Sequence, residues 1–410
     1  MIVQRAHYLR ILKQWQGMQV IKVVTGIRRC GKSTLLRQFK EQLTQEGVPE
    51  VCMISINFED LAFEELLSYK ELYRYIKSRL NPEKMNYIFL DEIQRVDQFE
   101  KAVDSLHIIP NIDIYMTGSN SYLLSGELAT LLSGRYIEIA MLPFSFCEYC
   151  TAYSNDNTDT LFASYMHDGG FPYLTQFDHS TDQIDTYLEG IYNTIIIKDI
   201  EMREQRRSLV QDKRRVSDFS LLRDVARFLA FSIGNPISFK SITDYIISSG
   251  RRVSQNTISD YVEMLREAFI FYPAERFDIS GKQLLKVNQK IYIVDVGLRR
   301  YLLPRKNYDL GFTLENIVYL ELIRRGFRVN IGKLGNTEVD FVARMNEEIN
   351  YIQVTASLTE RSTFEREMKP LRAICDHYPK LILTLDRFTL GNYDGIRVAN
   401  VVDWLLDTGE

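Results

Sequence analysis

The sequence predicts an α/β fold built on a parallel sheet at its N-terminal end, and three observations carry that expectation. Short, nearly all-apolar runs alternate with segments of helical period from residue 20 to residue 140, the pattern of strands buried on both faces. Gly26-x-x-x-x-Gly31-Lys32-Ser33 follows the first run and opens a periodic segment. Polar residues stand directly after later runs, as Asp91-Glu92 and as Gly118-Ser119-Asn120-Ser121. In open parallel sheets the chemistry gathers at the carboxyl ends of strands, where these residues fall.

Length and composition bound the answer. At 410 residues the chain exceeds what one core usually absorbs, so two to three domains are expected. Charged residues are 25% and hydrophobic ones 45%, an ordinary globular balance. A net charge of -4 argues against a protein that coats nucleic acid and leaves local basic patches open. The N-terminus has no apolar signal core and no stretch approaches about 18 uncharged apolar residues, so no signal peptide or membrane partner is expected. The five cysteines form no disulfide framework and fit a reducing cytoplasm. Cys147-x-x-Cys150 is a lone pair in an aromatic stretch and reads as packing.

Taken in order, Arg5–Trp15 reads as a short helix and Val20–Val24 as the first strand. A helix from Leu35 follows the glycine loop, then a strand Val51–Asn57 and one helix Phe63–Leu80. Tyr87–Leu90 is the third strand, Phe99–Ile109 a helix, Ile112–Thr117 the fourth strand and Tyr136–Ile139 the fifth. Strand, glycine-bounded loop and helix is the setting a phosphate-binding P-loop needs. Gly26 and Gly31 let backbone N–H groups turn inward, and the opening helix presents more of them. The cradle for ATP is therefore expected over Gly26, Arg28, Arg29, Cys30, Gly31, Lys32, Ser33 and Thr34. Lys32 would reach the β- and γ-phosphates and the Ser33 hydroxyl would sit on Mg²⁺. Arg28 and Arg29 face solvent, phosphate or a neighbouring domain, and the sequence does not choose among these.

Asp91 is expected to hold Mg²⁺ directly or through water. Glu92 is expected to polarise the attacking water, since a carboxylate beside the γ-phosphate can accept its proton. Asn120, or else Ser119 or Thr117, could orient that water; a strand-end turn held by its own Asn side chain is the plain alternative. Arg135 could bring charge to the transition state, from its own subunit or a neighbouring copy, or could form a structural salt bridge.

G-I-R-R-C-G-K-S-T, F-L-D-E-I-Q, T-G-S-N-S and L-S-G-R-Y with L-P-F-S-F-C-E-Y together resemble a family of prokaryotic AAA-type ATPases with a second, uncharacterised C-terminal domain. The resemblance runs on through G-G-F-P-Y-L at 169–174, V-D-V-G-L-R at 294–299, L-E-N-I-V-Y-L-E-L-I-R-R-G at 314–326 and T-E-V-D-F-V at 337–342, nearly the whole chain. It implies an AAA-like ATPase module over 1–150, a winged-helix middle and a nuclease-like terminal fold.

Residues 151–235 read as a helical linker or lid, with helices over Ile184–Ile200 and Val216–Ile233. Between them the run 203–215 holds six basic residues against Glu204 and Asp212. Over 236–295, helices Ser238–Ser248 and Ser254 or Asn256 to Glu267 precede strands Phe269–Pro273 and Lys290–Val294, a winged-helix-like order. Arg251, Arg252 and Gln255 stand at the mouth of the second helix, where major-groove readers place contacts. Asp260, Glu263 and Glu267 on that helix would repel phosphates, so DNA and a protein client both stay open. Residues 296–410 resemble the restriction-endonuclease-like core, in which a helix Glu, a strand Asp and a later acid-x-Lys bind Mg²⁺. Glu315 and Asp340 match that pattern. Gln353 and Thr355 stand where the acid and lysine belong, so a catalytically degenerate site is expected.

Two readings of function follow. One is Mg²⁺-dependent ATP hydrolysis that rearranges C-terminal interaction domains. The other is a nucleotide-gated module that binds DNA or protein with little turnover; an ATP-regulated nuclease stands behind both. Use of Arg135 by a neighbouring copy would demand a homo-oligomer.

Overall fold

The computed structural model describes residues 2–118, 132, 134–153, 157–177, 181–195, 200, 218–303 and 309–407. They divide into two compact units, the first holding the chain up to Pro143 and the second most of 144–407.

The first unit runs α1 (Ala6–Gln14), β1 (Ile21–Thr25), α2 (Lys32–Gln45), β2 (Met53–Asn57), α3 (Tyr69–Lys77), β3 (Asn86–Asp91), α4 (Phe99–His107), β4 (Ile112–Gly118) and β5 (Tyr136–Ala140). Its five strands form one sheet in the order β2-β3-β4-β1-β5, every neighbouring pair parallel. Every residue of β1 and β4 is buried, as a sheet covered on both faces requires. On one face Ile88, Leu90, Ile114 and Met116 pack with Leu72 and Ile76 of α3 and Val103 and Leu106 of α4. On the other, Phe39 of α2 lies against the stacked rings of Phe89 and Tyr115. The register sets Thr25 beside Gly118 and Asn57 beside Asp91, so the carboxyl ends of the inner strands line up. The helix expected over 63–80 is interrupted. A 3₁₀ turn covers Leu61–Leu66, Phe63 leaves helical geometry, and α3 starts only at Tyr69.

The second unit begins at Phe144 rather than after residue 150, because Phe144 is held to the segment beyond it. Its N–H donates to the Gly170 carbonyl at 2.7 Å and its own carbonyl accepts from the Tyr165 hydroxyl at 2.8 Å. The elements are α5 (Phe146–Thr151), α6 (Thr158–Asp168), α7 (Thr181–Asn193), α8 (Phe219–Phe231), β6 (Pro236–Ile237), α9 (Phe239–Ser248), α10 (Gln255–Glu267), β7 (Phe271–Asp278) and β8 (Gln283–Ile293). They continue as α11 (Val296–Leu302), α12 (Leu310–Arg324), β9 (Arg328–Leu334), β10 (Thr337–Met345), β11 (Glu348–Thr355), α13 (Arg361–Arg372), β12 (Lys380–Thr384), β13 (Gly391–Tyr393), β14 (Ile396–Asn400) and α14 (Val401–Leu406). The stretches 236–295 and 296–410, expected as separate modules, contribute strands to one nine-stranded sheet, in the order β13-β14-β12-β11-β10-β9-β7-β8-β6. The seam is a parallel pairing of β7 with β9, with Phe277 opposite Gly332. Gly332 lets that seam close, since a Cβ there would meet Val342, Ile279 and Val339 at about the closest distance packed carbons tolerate.

Two of the quoted motifs meet in this unit. The Asp295 carboxylate accepts from the N–H of Gly170 at 2.6 Å and of Leu298 at 3.0 Å. A Cβ on Gly169 would lie 2.1 Å from Asp295 Oδ1, so the approach needs glycine. Burial pushes the Asp295 carboxyl up to about 6 despite these backbone donors.

Candidate functional site

The glycine loop leaves β1 with Gly26 at φ 141° and reaches α2 through Gly31 at φ 104°, both outside what a side chain readily adopts. Lys32 is the first residue of α2, so the helix N-terminus and its free N–H groups open onto the loop. The Lys32 side chain is buried. Its Nζ donates to the carbonyls of Gly26 at 3.0 Å and Ile27 at 3.2 Å, and lies 4.0 Å from Glu92 Oε1. Ser33 is exposed at the helix mouth, near enough to the Asp91 carboxylate to favour its charged form. Burial raises the Asp91 carboxyl, opposed by the Thr117 hydroxyl that bonds it and by the Ser33 hydroxyl nearby. Thr34 is half-buried one position further along the helix.

Thr117, at the end of β4, joins the acids. Its Oγ1 donates to Asp91 Oδ1 and accepts from the Glu92 N–H at 3.0 Å. Glu92 takes a left-handed backbone, φ 55° and ψ 45°, which for a residue with a side chain stores strain of roughly 1–3 kcal/mol. Its carboxylate accepts from the side-chain amide of Gln94. A lysine, a hydroxyl and two carboxylates from β1–α2, β3 and β4 therefore converge at one end of the sheet. That donor set fits Mg²⁺-nucleotide: Ser33 and Asp91 offer oxygens of the kind Mg²⁺ takes, leaving its other positions to phosphates and water.

The remaining loop residues divide. Arg28 pairs with Glu59, just beyond β2, at 2.5 Å, and Arg29 is exposed with φ 69°. Cys30 is fully buried, and burial pushes its thiol up. Behind it lies a residue the sequence reading passed over. Arg5 is 1% exposed and donates to the carbonyls of Cys30 at 2.9 Å and Leu142 at 2.8 Å, bracing the loop from below. Nothing local in the sequence marks it, since its partners lie 25 and 137 positions away.

One expected participant stands elsewhere on the sheet, and another is not among the described residues. Asn120 lies outside the described residues, and Thr117 supplies the polar group seen at the strand end. Arg135 is placed at the opposite end of the sheet. It immediately precedes β5, whose first residue pairs with Ile21, while the loop leaves β1 after Thr25. Strand rise puts about 16 Å between those ends. The Arg135 guanidinium instead pairs with Asp104 of α4, the structural salt bridge that was its alternative.

In the second unit, Glu315 of α12 and Gln353 of β11 are buried and Asp340 of β10 is half-buried. Gln353 accepts from the Asp340 N–H at 3.2 Å and donates to Glu367 Oε2 of α13 at 2.8 Å. Asp340 Oδ2 accepts from the Val354 N–H at 2.8 Å. A cation does stand beside these acids, supplied from β8. Lys290 Nζ lies 3.1 Å from Glu315 Oε1 and 2.9 Å from Glu338 Oε1, and the Tyr292 hydroxyl donates to Glu315 Oε1 at 2.6 Å. Burial works against the Lys290 charge, but Glu315, Asp340 and Glu338 outweigh it and raise its pKa. Burial likewise raises Glu315, against Lys290, and pushes Asp340 well above the usual carboxylate range, with Glu315 adding to the push. Among the described residues no group of three or more His, Cys, Asp or Glu is arranged to hold a metal ion.

The helix mouth where major-groove contacts would fall is partly spoken for. Arg251 bonds Asp218 Oδ2 at 3.1 Å and Ser220 Oγ at 2.6 Å and pairs with Asp224 at 3.2 Å, while Arg252 and Gln255 are exposed. No helix among the described residues is long and apolar enough to cross a membrane.

Residues 19–150 match an AAA domain family and residues 159–309 a domain of unknown function. An uncharacterised protein of Haemophilus influenzae is 38% identical over 410 residues, 99% of both chains. An uncharacterised protein of Methanocaldococcus jannaschii is 31% identical over 370 residues, 85% of this chain and 77% of that protein. Among solved structures, a Walker-type ATPase of Pyrococcus abyssi aligns over 73% of this chain and 96% of its own, at 19% identity and a TM-score of 0.48. The AAA match covers the sheet and loop just described, and the relatives extend the likeness through the second unit. The chain belongs to one family with these two relatives, and its first unit is a P-loop domain of the AAA ATPase type.

Proposed function

We propose that the chain binds ATP with Mg²⁺ and hydrolyses it, and that the cycle rearranges the C-terminal unit, which engages a client. One observation carries the reading: Lys32, Ser33, Asp91, Glu92 and Thr117 meet at the carboxyl end of the sheet, beside the N-terminus of α2. The loop and helix N–H groups would hold the phosphates, with Lys32 exchanging its loop carbonyls for them. Ser33 and Asp91 would hold Mg²⁺, which neutralises phosphate charge when bound. Glu92 would take the proton of the attacking water as the bond between the γ-phosphorus and the ADP oxygen breaks. Thr117 keeps the Asp91 carboxylate and the Glu92 backbone in place. A protein client is favoured over DNA, because Arg251 is engaged by acids of its own unit and α10 carries Asp260, Glu263 and Glu267.

The test is ATP turnover by the full chain, with and without Mg²⁺ and with and without DNA. Lys32→Ala should abolish tight ATP binding. Glu92→Gln should keep ATP bound and slow turnover roughly 10²–10⁴-fold, the range for losing a positioned proton acceptor. Unchanged affinity in the first variant, or wild-type turnover in the second, would sink the assignment. Turnover strongly stimulated by DNA would overturn the preference for a protein client.

A further inference from the structure

The acid expected to activate water is not free to point anywhere, and the residue that aims it is two positions further along the chain. Both backbone ends of Glu92 are tied. Its N–H donates to Thr117 Oγ1 at 3.0 Å, and its carbonyl accepts from the Arg95 N–H at 3.1 Å. The left-handed turn at Glu92 leads into a 3₁₀ turn over Ile93–Arg95, anchored by the fully buried Ile93 and by Val96. That turn brings the half-buried Gln94 side chain back over its neighbour, where the amide Nε2 donates to Glu92 Oε2. The other oxygen, Oε1, faces the Lys32 ammonium at 4.0 Å. Lys32 marks where phosphate goes, so Oε1 is the oxygen turned toward the reaction and Oε2 the one held back.

From this division of labour we infer that Gln94 is a positioning residue for ATP hydrolysis: its amide fixes Glu92 Oε2 and so presents Oε1 to the attacking water. The inference rests on the assignment of Glu92 as proton acceptor. When ATP arrives and Lys32 turns to the phosphates, the Gln94 amide still holds the carboxylate. A methionine at 94 has nearly the same length and no N–H, and would leave the carboxylate to rotate. A glutamate at 94 would set a second carboxylate against the first.

The experiment is a steady-state and ATP-titration series on the full chain with Gln94→Met, Gln94→Glu, Glu92→Gln and the double variant Gln94→Met/Glu92→Gln. Gln94→Met should lower kcat roughly 10- to 100-fold, the scale of one hydrogen bond to a charged group. Its KM and ATP affinity should stay within about twofold, since no ground-state contact to nucleotide is lost. Gln94→Glu should lose at least as much. In the Glu92→Gln background, Gln94→Met should cost nothing further, because two residues acting through one step are not additive. Gln94→Met at the wild-type rate would overturn the inference while leaving Glu92 in place. So would a loss of ATP affinity equal to the loss of rate, or an undiminished loss in the Glu92→Gln background. A Glu92→Gln variant as fast as wild type would instead remove the proton-acceptor assignment, and this inference with it.

Discussion

Replacing Lys290 by Met tests whether the acids of the second unit are held together by their own internal cation. The substitution keeps a stem of similar length and removes the charge. The ammonium contacts Glu315, whose side chain is buried, and Glu338, whose side chain is a third exposed and correspondingly screened. The Glu315 contact therefore dominates, and breaking one partner out of a buried pair costs about 3–5 kcal/mol. Relief is available by protonation. Glu315 and Asp340 already have folded-state pKa values above their ordinary ones, so each favours the folded state more as pH falls. Without Lys290 both should rise further. The cost of Lys290→Met should thus be largest near pH 8, around 3 kcal/mol, and should shrink toward pH 5 as the carboxyls take up protons. The chain has two tryptophans, and Trp404 lies in the second unit with its ring under the Arg325 guanidinium. Urea unfolding followed by Trp404 fluorescence, in a Trp15→Phe background, reports that unit alone. A cost below about 1 kcal/mol at pH 8, or an equal cost at pH 5 and pH 8, would refute the reasoning.

Other expectations follow from single contacts. Gly26→Ala would place a Cβ 2.1 Å from the Met141 carbonyl oxygen at a φ that side chains avoid, so ATP affinity in a titration should fall sharply, with a stability cost of roughly 1–3 kcal/mol; unchanged affinity would mean the loop tolerates the shift. Arg135→Ala should leave kcat within about twofold, and a loss near 10³-fold, the scale of a missing arginine finger, would show the residue serving another copy's site. Asp295, raised to about 6 by burial, favours folding below that value and loses the contribution as pH rises through it. Between pH 8 and pH 5 it should add about 1.4 kcal/mol, a slope that denaturant titrations should find missing in Asp295→Asn. Purified chain should cut neither single- nor double-stranded DNA with Mg²⁺ or Mn²⁺; cutting abolished by Asp340→Ala and spared by Lys32→Ala would reverse that view.

The first unit was legible because its signals are local. The loop glycines, the apolar runs and the acids at their ends follow one another within short spans, and the five strands stand close to where alternation put them. What escaped depends on register or on distant pairing. Arg135 stands directly before β5, but only the parallel register with β1 shows that it opens the strand at the end away from the loop. Lys290 was missed as a partner of Glu315 because the pairing depends on how β8 lies against α12. By contrast β14 could have been found. Ile396, Val398 and Asn400 alternate with more exposed neighbours, and Asp394-Gly395 just before them is a hairpin signal. The single helix expected over 63–80 failed because side-chain period alone does not reveal a local departure such as that of Phe63.

The parallel seam between β7 and β9 makes the second unit indivisible. Cleaving the chain between α11 and α12 would leave β9 with one partner, β10, and an open row of backbone donors and acceptors along its other side. A fragment beginning at residue 309 should self-associate through that edge, and one ending at 303 should do the same through β7. Recombination that transplanted the terminal fold by itself would meet the same obstacle. Any gene fusion or truncation that preserves solubility must carry the seam whole.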